Sequence, residues 1–313
     1  MSPATNGDRP RRAGPMGVFA RATRAKTLPL VLVPVGIGSA LASADGPLSW
    51  GVLGLCVVGA AGLHLGAYPV CDVFDARSGV DRLTRMDRAG IATSPGFVDD
   101  GTLGVRATLS IAAGCYAAAA ASGAALAVER GAGVLAFGAA GFLLGLCYAA
   151  PPVRYGYRGR GLGEAGFFVA YGLLPVGGSY FAQTGRLDAS AIWASLVPGL
   201  LTAVALGEHN LLHPRADKGA GRRTLPVVIG SEGALLLYGL GILAAYSALL
   251  LQPVTGLYPA WAAAGIVTAF PVAAAWVRAF RDPLPQRCLQ LFGASLGASV
   301  IAGAIIALSL ATR

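Results

Sequence analysis

Charge is what this sequence lacks. Asp, Glu, Lys and Arg together make up 12% of the 313 residues, against 55% hydrophobic. A soluble domain carries about a quarter charged residues, so an ordinary water-soluble globule of this length is excluded. A disulfide framework and a zinc site are missing as well. The five cysteines, Cys56, Cys71, Cys115, Cys147 and Cys288, lie in or beside apolar runs with no spacing of either kind. Four or more of them read as small buried hydrophobes. No short apolar segment with a small-residue cleavage site follows the opening stretch, so it does not read as a signal peptide. Residues 1–20 are polar and rich in Arg, Pro and Gly and read as a disordered tail, which leaves 21–313 as a single domain.

What the chain has in place of charge is a series of uncharged runs, each near the roughly 20 residues that a bilayer span needs. They cover 27–44, 51–70, 107–128, 131–153, 165–185, 189–207, 233–251, 257–277 and 288–312. The last run but two and its neighbour are one uncharged stretch, divided at Gln252-Pro253-Val254-Thr255-Gly256 because Pro and Gly punctuate helices. The expectation is an all-α, polytopic membrane protein of about nine transmembrane helices.

The basic residues alternate with these runs. With the N-terminus placed in the cytoplasm, the cytoplasmic tail and loops hold Arg9, Arg11, Arg12, Arg21, Arg24 and Lys26, then Arg77, Arg82, Arg85, Arg88 and Arg106. They continue with Arg154, Arg158 and Arg160, then Arg215, Lys218, Arg222 and Arg223, and last Arg278, Arg281 and Arg287. That is 21 of the 24 basic residues. Only Arg130, Arg186 and Arg313 fall on the other side, as the positive-inside rule requires. The net charge of +9 therefore reflects topology and attraction to anionic lipid or substrate, and gives no sign of a nucleic-acid partner.

Ionisable groups inside a membrane helix are costly, and the few present are candidates for function. The first set ends the second run: His64, Tyr68, Cys71, Asp72 and Asp75 fall within about one 100° arc of a helix. Pro69 among them is expected to kink it. Two carboxylates at i, i+3 repel unless a cation lies between them, and a hard divalent ion such as Mg²⁺ shares such sites with phosphates. The same pair would also serve to solvate a helix end beside Arg77. The second set ends the sixth run, where His209, Asn210, His213 and Asp217 share a similar arc, followed by Arg222 and Arg223, which suit phosphate oxygens. His213 has an alternative as a helix C-terminal cap. Between them, the loop from Tyr148 to Glu164 alternates Arg, Tyr and Gly. It suits an anion, or a plain basic loop.

These strings resemble the UbiA superfamily of intramembrane prenyltransferases, and within it the dihydroxynaphthoate prenyltransferases of menaquinone synthesis. Arg24-Ala-Lys26-Thr27-Leu28-Pro29 resembles R-P-K-T-L-P, and Cys71-Asp72-Val-Phe-Asp75 with Gly79 and Asp81 resembles N-D-x-x-D-x-x-x-G-x-D. Tyr155-Gly-Tyr157-Arg158 with Gly161-Leu-Gly163-Glu164 resembles Y-G-Y-R-G-L-G-E, with two residues inserted. Gly178-Ser-Tyr180-Phe-Ala-Gln183-Thr184-Gly185 resembles G-T-Y-Y-V-Q-T-G, and Asp217-Lys218-Gly-Ala-Gly221-Arg222-Arg223-Thr224-Leu225 resembles D-R-R-A-G-K-R-T-L. Three positions depart from the pattern. Cys71 stands for the motif's Asn, His213 for the first Asp of the second motif, and Ala67 for an Asn one turn before the first.

The resemblance implies a helical bundle around a central cavity open to the cytoplasmic leaflet. It implies Mg²⁺ held by Asp72, Asp75 and Asp217, with His213 in the altered ligand position, and the same three aspartates as the catalytic set. It places contacts to the prenyl diphosphate and the aromatic acceptor on Arg24, Lys26, Tyr68, Tyr148, Arg154, Arg158, Tyr180, Lys218, Arg222 and Arg223. The reaction implied is prenyl transfer to an aromatic quinone precursor. A UbiA-type terpene cyclase, which needs no acceptor, and a transporter or lipid-binding protein with a decayed site are the alternatives.

The basic-residue split yields a topological test. A reporter fused after Arg313 should lie outside the cytoplasm and one inserted near Arg85 inside it. Both reporters on one side would refute the nine-span topology.

Overall fold

The computed structural model describes residues 14–86, 91 and 94–313. Among them the chain is helical, without strands. Eight helices are long and apolar enough to cross a bilayer, and a ninth apolar helix is shorter. In chain order they are α1 (Ala25–Ala42), α2 (Trp50–Ser78), α3 (Val105–Arg130), α4 (Val134–Ala149), α5 (Leu162–Thr184), α6 (Ala189–Asn210), α7 (Leu225–Val254), α8 (Ala260–Arg281) and α9 (Pro285–Ala311). Each coincides with one of the nine uncharged runs. The chain is a multi-pass membrane protein, since hydrocarbon leaves a spanning backbone no hydrogen-bond partner outside its own helix.

The helix ends follow local chemistry. Ser49 caps α2 by accepting from the Val52 amide. Gly79, at φ 79°, closes it in the left-handed conformation that favours glycine. Helix α2 runs on through Pro69, so the residue expected to kink it leaves the helix continuous. The break occurs in α7 instead, where Gly230 has φ 79° and ψ 161°. Residues 225–229 therefore form a short leading turn ahead of the long apolar run, and Glu232 is the charge after which the uncharged run begins in the sequence. In α5, Val169–Leu173 widen into a π-turn.

Helix α2 packs along α3 and α4, while α6 packs on α7 and α9, and α8 on α9. Helix α1 lies between α5 and α9 and joins the two groups. The main core fills the space among α1 and α5 to α9, with Ile37, Val176, Leu201, Leu235, Leu291 and Ile306 fully enclosed. Leu240, Leu243 and Phe270 point outward and remain more than half exposed, as lipid-facing side chains do. Helices approach closely where side chains are small. A Cβ built on Gly38 of α1 would lie 2.1 Å from the Val176 carbonyl oxygen of α5.

One difference from the sequence reading concerns the tail. Residues 15–20, read as disordered, belong to a helix, Pro15–Ala22, which has Pro at its start and Ala22 buried. Arg21 lies 4.9 Å above the Phe97 ring and ties this helix to the loop after α2. Residues 1–13, with Arg9, Arg11 and Arg12, and Arg88 lie outside the described residues.

The Gly38 approach predicts opposite outcomes for two methyl groups. Gly38→Ala should destabilise the protein by about 1–3 kcal/mol through overpacking. Gly54→Ala, inside α2 with nothing within 4 Å of the new Cβ, should stabilise it by up to about 1 kcal/mol. Thermal unfolding of both variants in detergent measures the pair.

Candidate active site

The polar residues of the sequence motifs meet at the end of the bundle where α2, α4 and α6 finish. Arg24, just before α1, donates to Asp72 Oδ1 of α2 at 2.9 Å and lies 4.5 Å above the Tyr68 ring. Its backbone is left-handed, φ 48°, a conformation that costs a non-glycine residue about 1 kcal/mol or more. The ion pair and the cation–π contact offset that cost.

One turn along α2, Asp75 accepts from the Tyr157 hydroxyl. Tyr157 sits in the tight turn between α4 and α5, under the Arg154 guanidinium at 4.2 Å. Arg154 is left-handed too, φ 43°. Burial first, then the Asp75 charge, push the Tyr157 hydroxyl above its ordinary range.

The second wall begins where α6 stops. Pro214 opens a short helix, Pro214–Gly219, that carries Asp217. Asp217 accepts from Thr224 at 3.2 Å and lies 3.7 Å from the buried Arg222 guanidinium. Arg222 also donates to the Tyr148 hydroxyl at 2.7 Å and stands 5.3 Å above the Tyr157 ring. Burial works against its charge, but Tyr148, Asp217 and Asp75 outweigh it and hold Arg222 well above its usual range. Burial raises Asp217 in spite of the opposing pull of Arg222 and Thr224, and the Asp75 charge adds to the rise. Asp75 of the first motif, well over a hundred residues away in sequence, therefore acts on both charged groups of the second.

His64 is locked between three helices. The Thr27 hydroxyl donates to the Arg24 carbonyl at 2.7 Å, so at 3.0 Å it accepts from His64 Nε2. Nδ1 then accepts from the Tyr171 hydroxyl at 3.1 Å. Tyr171 belongs to the π-turn of α5. His64 thus braces α1, α2 and α5.

The remaining sequence candidates divide. Tyr68, Tyr148, Arg154 and Arg222 are in the cluster. Lys26, Arg158, Lys218 and Arg223 lie exposed near its edge; Arg158 donates to the Pro152 carbonyl at 2.9 Å. His213 is buried, and its Nε2 donates to the Ile91 carbonyl at 2.6 Å. Tyr180 is not brought to the site. It belongs to the other end of α5, where its hydroxyl donates to Asp45 at 2.6 Å. That end is separated by eighteen residues of α5 from Leu162, about 27 Å at the helical rise. Cys71 packs against the buried cluster of Val80, Ala149 and Tyr157. Sequence reasoning passed over Tyr157 and Tyr171 as site residues. The string resembling Y-G-Y-R-G-L-G-E contained the signal for Tyr157, and nothing in the pattern marked Tyr171, whose place depends on the π-turn.

Among the described residues no three His, Cys, Asp or Glu side chains converge tightly enough to hold a metal ion unaided. The donors are nonetheless hard carboxylate oxygens, and they crowd negative charge. Asp81, just past α2, shows the excess. Burial, then Asp75, then Asp72 push its carboxyl up to about 6, against the pull of Arg24 and Arg85. The residues fit a divalent cation that completes its coordination with oxygens of a bound anion, as Mg²⁺ does with phosphates.

Residues 31–302 match the model of the UbiA prenyltransferase family. The 1,4-dihydroxy-2-naphthoate octaprenyltransferase of Haemophilus influenzae is 31% identical over 214 residues, covering 66% of this chain and 68% of its own. The Mycobacterium tuberculosis protein of that name is 28% identical over 246 residues, 79% of this chain and 80% of its own. Among solved structures, a UbiA homologue from Aeropyrum pernix superposes with a TM-score of 0.66 at 17% identity, over 90% of this chain and 97% of that one. A UbiA homologue from Archaeoglobus fulgidus bound to DMAPP and Mg²⁺ gives 0.61 at 17%, over 92% and 98%.

Asp81 provides a pH test. Its folded-state value, about 6, exceeds the ordinary carboxylate value of 3.8. The neutral acid is thus favoured in the fold, and stability present at pH 4 is lost as pH rises through 6. The rise amounts to about 3 kcal/mol at most. In metal-free buffer, Asp81→Asn should unfold at a higher temperature than the wild type at pH 7 and at the same temperature at pH 4.

Proposed function

The chain belongs to the UbiA prenyltransferase family, and from that premise we propose that it transfers a prenyl group from an isoprenoid diphosphate to an aromatic acceptor of the quinone-precursor kind. The observation that carries this reading is the pair of facing walls. Asp72 and Asp75 stand on one and Asp217 with Arg222 on the other, and Asp75 acts electrostatically on both Asp217 and Arg222. Such a cleft is too anionic for a bare diphosphate and too rich in guanidinium for a lone cation. It suits the two together.

We assign Asp72, Asp75 and Asp217 as the carboxylates that would hold Mg²⁺, with His213, which donates to the Ile91 carbonyl, beside the second wall. When bound, the ion supplies positive charge to a departing pyrophosphate. Arg222 and Arg24 are fixed before substrate arrives, and each offers charge-assisted hydrogen bonds to phosphate oxygens. Preorganised donors of this kind lower the barrier because they need no reorganisation as charge develops. Exposed Lys26, Arg158, Lys218 and Arg223 draw the anion toward the mouth of the site. The faces of Tyr68 and Tyr148 border the place where an allylic cation forms and can steady it. The apolar helices beyond them keep water from that cation.

The relatives named above act, by their names, on 1,4-dihydroxy-2-naphthoate, and the Archaeoglobus homologue was solved with DMAPP and with GPP, each with Mg²⁺. Those facts support an aromatic acceptor and a prenyl diphosphate donor here. The basic belts support placing the N-terminus and the motif end in the cytoplasm, with the C-terminus outside.

Purified protein in detergent, given Mg²⁺ and a prenyl diphosphate, should form product only when an aromatic acceptor is present. Asp72→Asn or Asp75→Asn should lower turnover by about 10²–10³-fold while the protein remains folded in detergent. A hydrocarbon or alcohol released without acceptor would replace transfer by cyclisation. Full activity in either variant would remove these aspartates from the site.

A further inference from the structure

The string 178–185 has no part in the chemistry above, and the structure employs it at the opposite end of the bundle. Tyr180, 1% exposed, donates to Asp45 Oδ2 at 2.6 Å. The other oxygen of Asp45 accepts from Arg186 at 2.7 Å. Gln183 accepts from the Ser49 amide at 3.1 Å and donates to the Ser49 carbonyl at 3.0 Å. The connection between α1 and α2 is thereby clamped to the end of α5. A cavity of about 800 Å³ opens beside the clamp, bordered by Asp45, Leu48, Arg130, Gln183, Thr184 and Arg186. A second cavity of about 480 Å³ shares Asp45 and Arg186 with it and extends to Trp193 and Arg313.

Arg130, Arg186 and Arg313 are the three basic residues that the charge alternation leaves outside the motif-end belts, and all three border these cavities. The larger cavity sets two guanidiniums against one lining carboxylate, Asp45, which Tyr180 and Arg186 already satisfy. The Arg130 Nε is buried without a hydrogen-bond partner. Its terminal nitrogen lies 3.5 Å from Glu129. Asp188, the other acid nearby, is engaged in capping α6 through the Ser190 amide at 2.8 Å. Trp50 and Trp193 are 76% and 47% exposed at this same end. Exposed tryptophans mark the depth at which hydrocarbon gives way to headgroups. An oxyanion at that depth meets two planar forks of donors.

We propose that the far-end cavity is a second anion site, which takes a phosphate group carried by a lipid headgroup. Arg130 and Arg186 contact the phosphate, the Tyr180 and Gln183 clamp holds the cavity open, and the apolar flank at Leu48 faces the glycerol end. The site shares no residue with the aspartate cluster, so it stands whether or not the prenyl-transfer reading does.

The test uses full-length protein in detergent, alone or with Arg130→Gln, and reads bound lipid by native mass spectrometry and unfolding by thermal melting. Three probes are added separately: dioleoylphosphatidylglycerol, dioleoylglycerol and inorganic phosphate. The wild type should retain one phosphatidylglycerol more than the variant and melt higher with it, with no such difference for dioleoylglycerol. A rise in melting with inorganic phosphate alone, lost in the variant, would assign the same site to the free ion. Leu48→Trp, which fills the cavity and leaves every charge in place, should reproduce the loss even if Arg130→Gln folds poorly. Equal lipid retention and equal melting of wild type and both variants with every probe would overturn the site.

Discussion

The hydrocarbon around this bundle offers no hydrogen bonds, so a polar group in it depends on partners within the chain. The backbone meets the condition by forming helices. The side chains meet it by pairing: Thr202 with Ser299 at 2.9 Å and Ser295 with Glu208 at 3.1 Å in the seam between α6 and α9, and His64 with Thr27 and Tyr171. At the motif end the same constraint becomes chemistry. Asp72 has Arg24 and Asp217 has Arg222, yet burial, with the negative charge of Asp75 and Asp72 added to it, still raises Asp81. A site left short of positive charge in a poorly screened environment is a site prepared to receive a cation.

Hydropathy made the apolar helices legible because each must be apolar along most of its length, and a twenty-residue average survives local irregularity. The approach of residues far apart in sequence was less accessible. The arc of His64, Tyr68, Cys71, Asp72 and Asp75 follows from helical periodicity. That Arg24 would meet Asp72 does not, because it depends on α1 crossing between α5 and α9. The placing of Tyr180 failed for a related reason. A string that resembles a family motif states that its residues matter and leaves open at which end of the helix they do so. The tail misled because Arg, Pro and Gly read as disorder when counted over twenty residues, while Pro15 is well placed to start a helix whose Ala22 becomes buried.

The departures from the family pattern separate once their surroundings are known. Cys71 packs against the small cluster of Val80, Ala149 and Tyr157, where a small side chain fits. His213 joins the end of α6 to Ile91 in the loop after α2, which links the second wall to the chain segment that follows the first. One substitution is absorbed by packing, and the other is tied into the frame of the site.

The π-turn in α5 has a consequence for how this chain can change length. Val169–Leu173 hold one residue beyond what an α-helix would use over the same rise, so the two halves of α5 are out of phase with a regular helix by about 100°. Loss of a single residue there need not break the span, because the turn can relax into ordinary α-helix. It would instead rotate one half against the other. Tyr171 would then leave His64 while Tyr180 kept Asp45, or the reverse. The two ends of α5 are geared together by one extra residue, and the bulge acts as the phase adjustment between them.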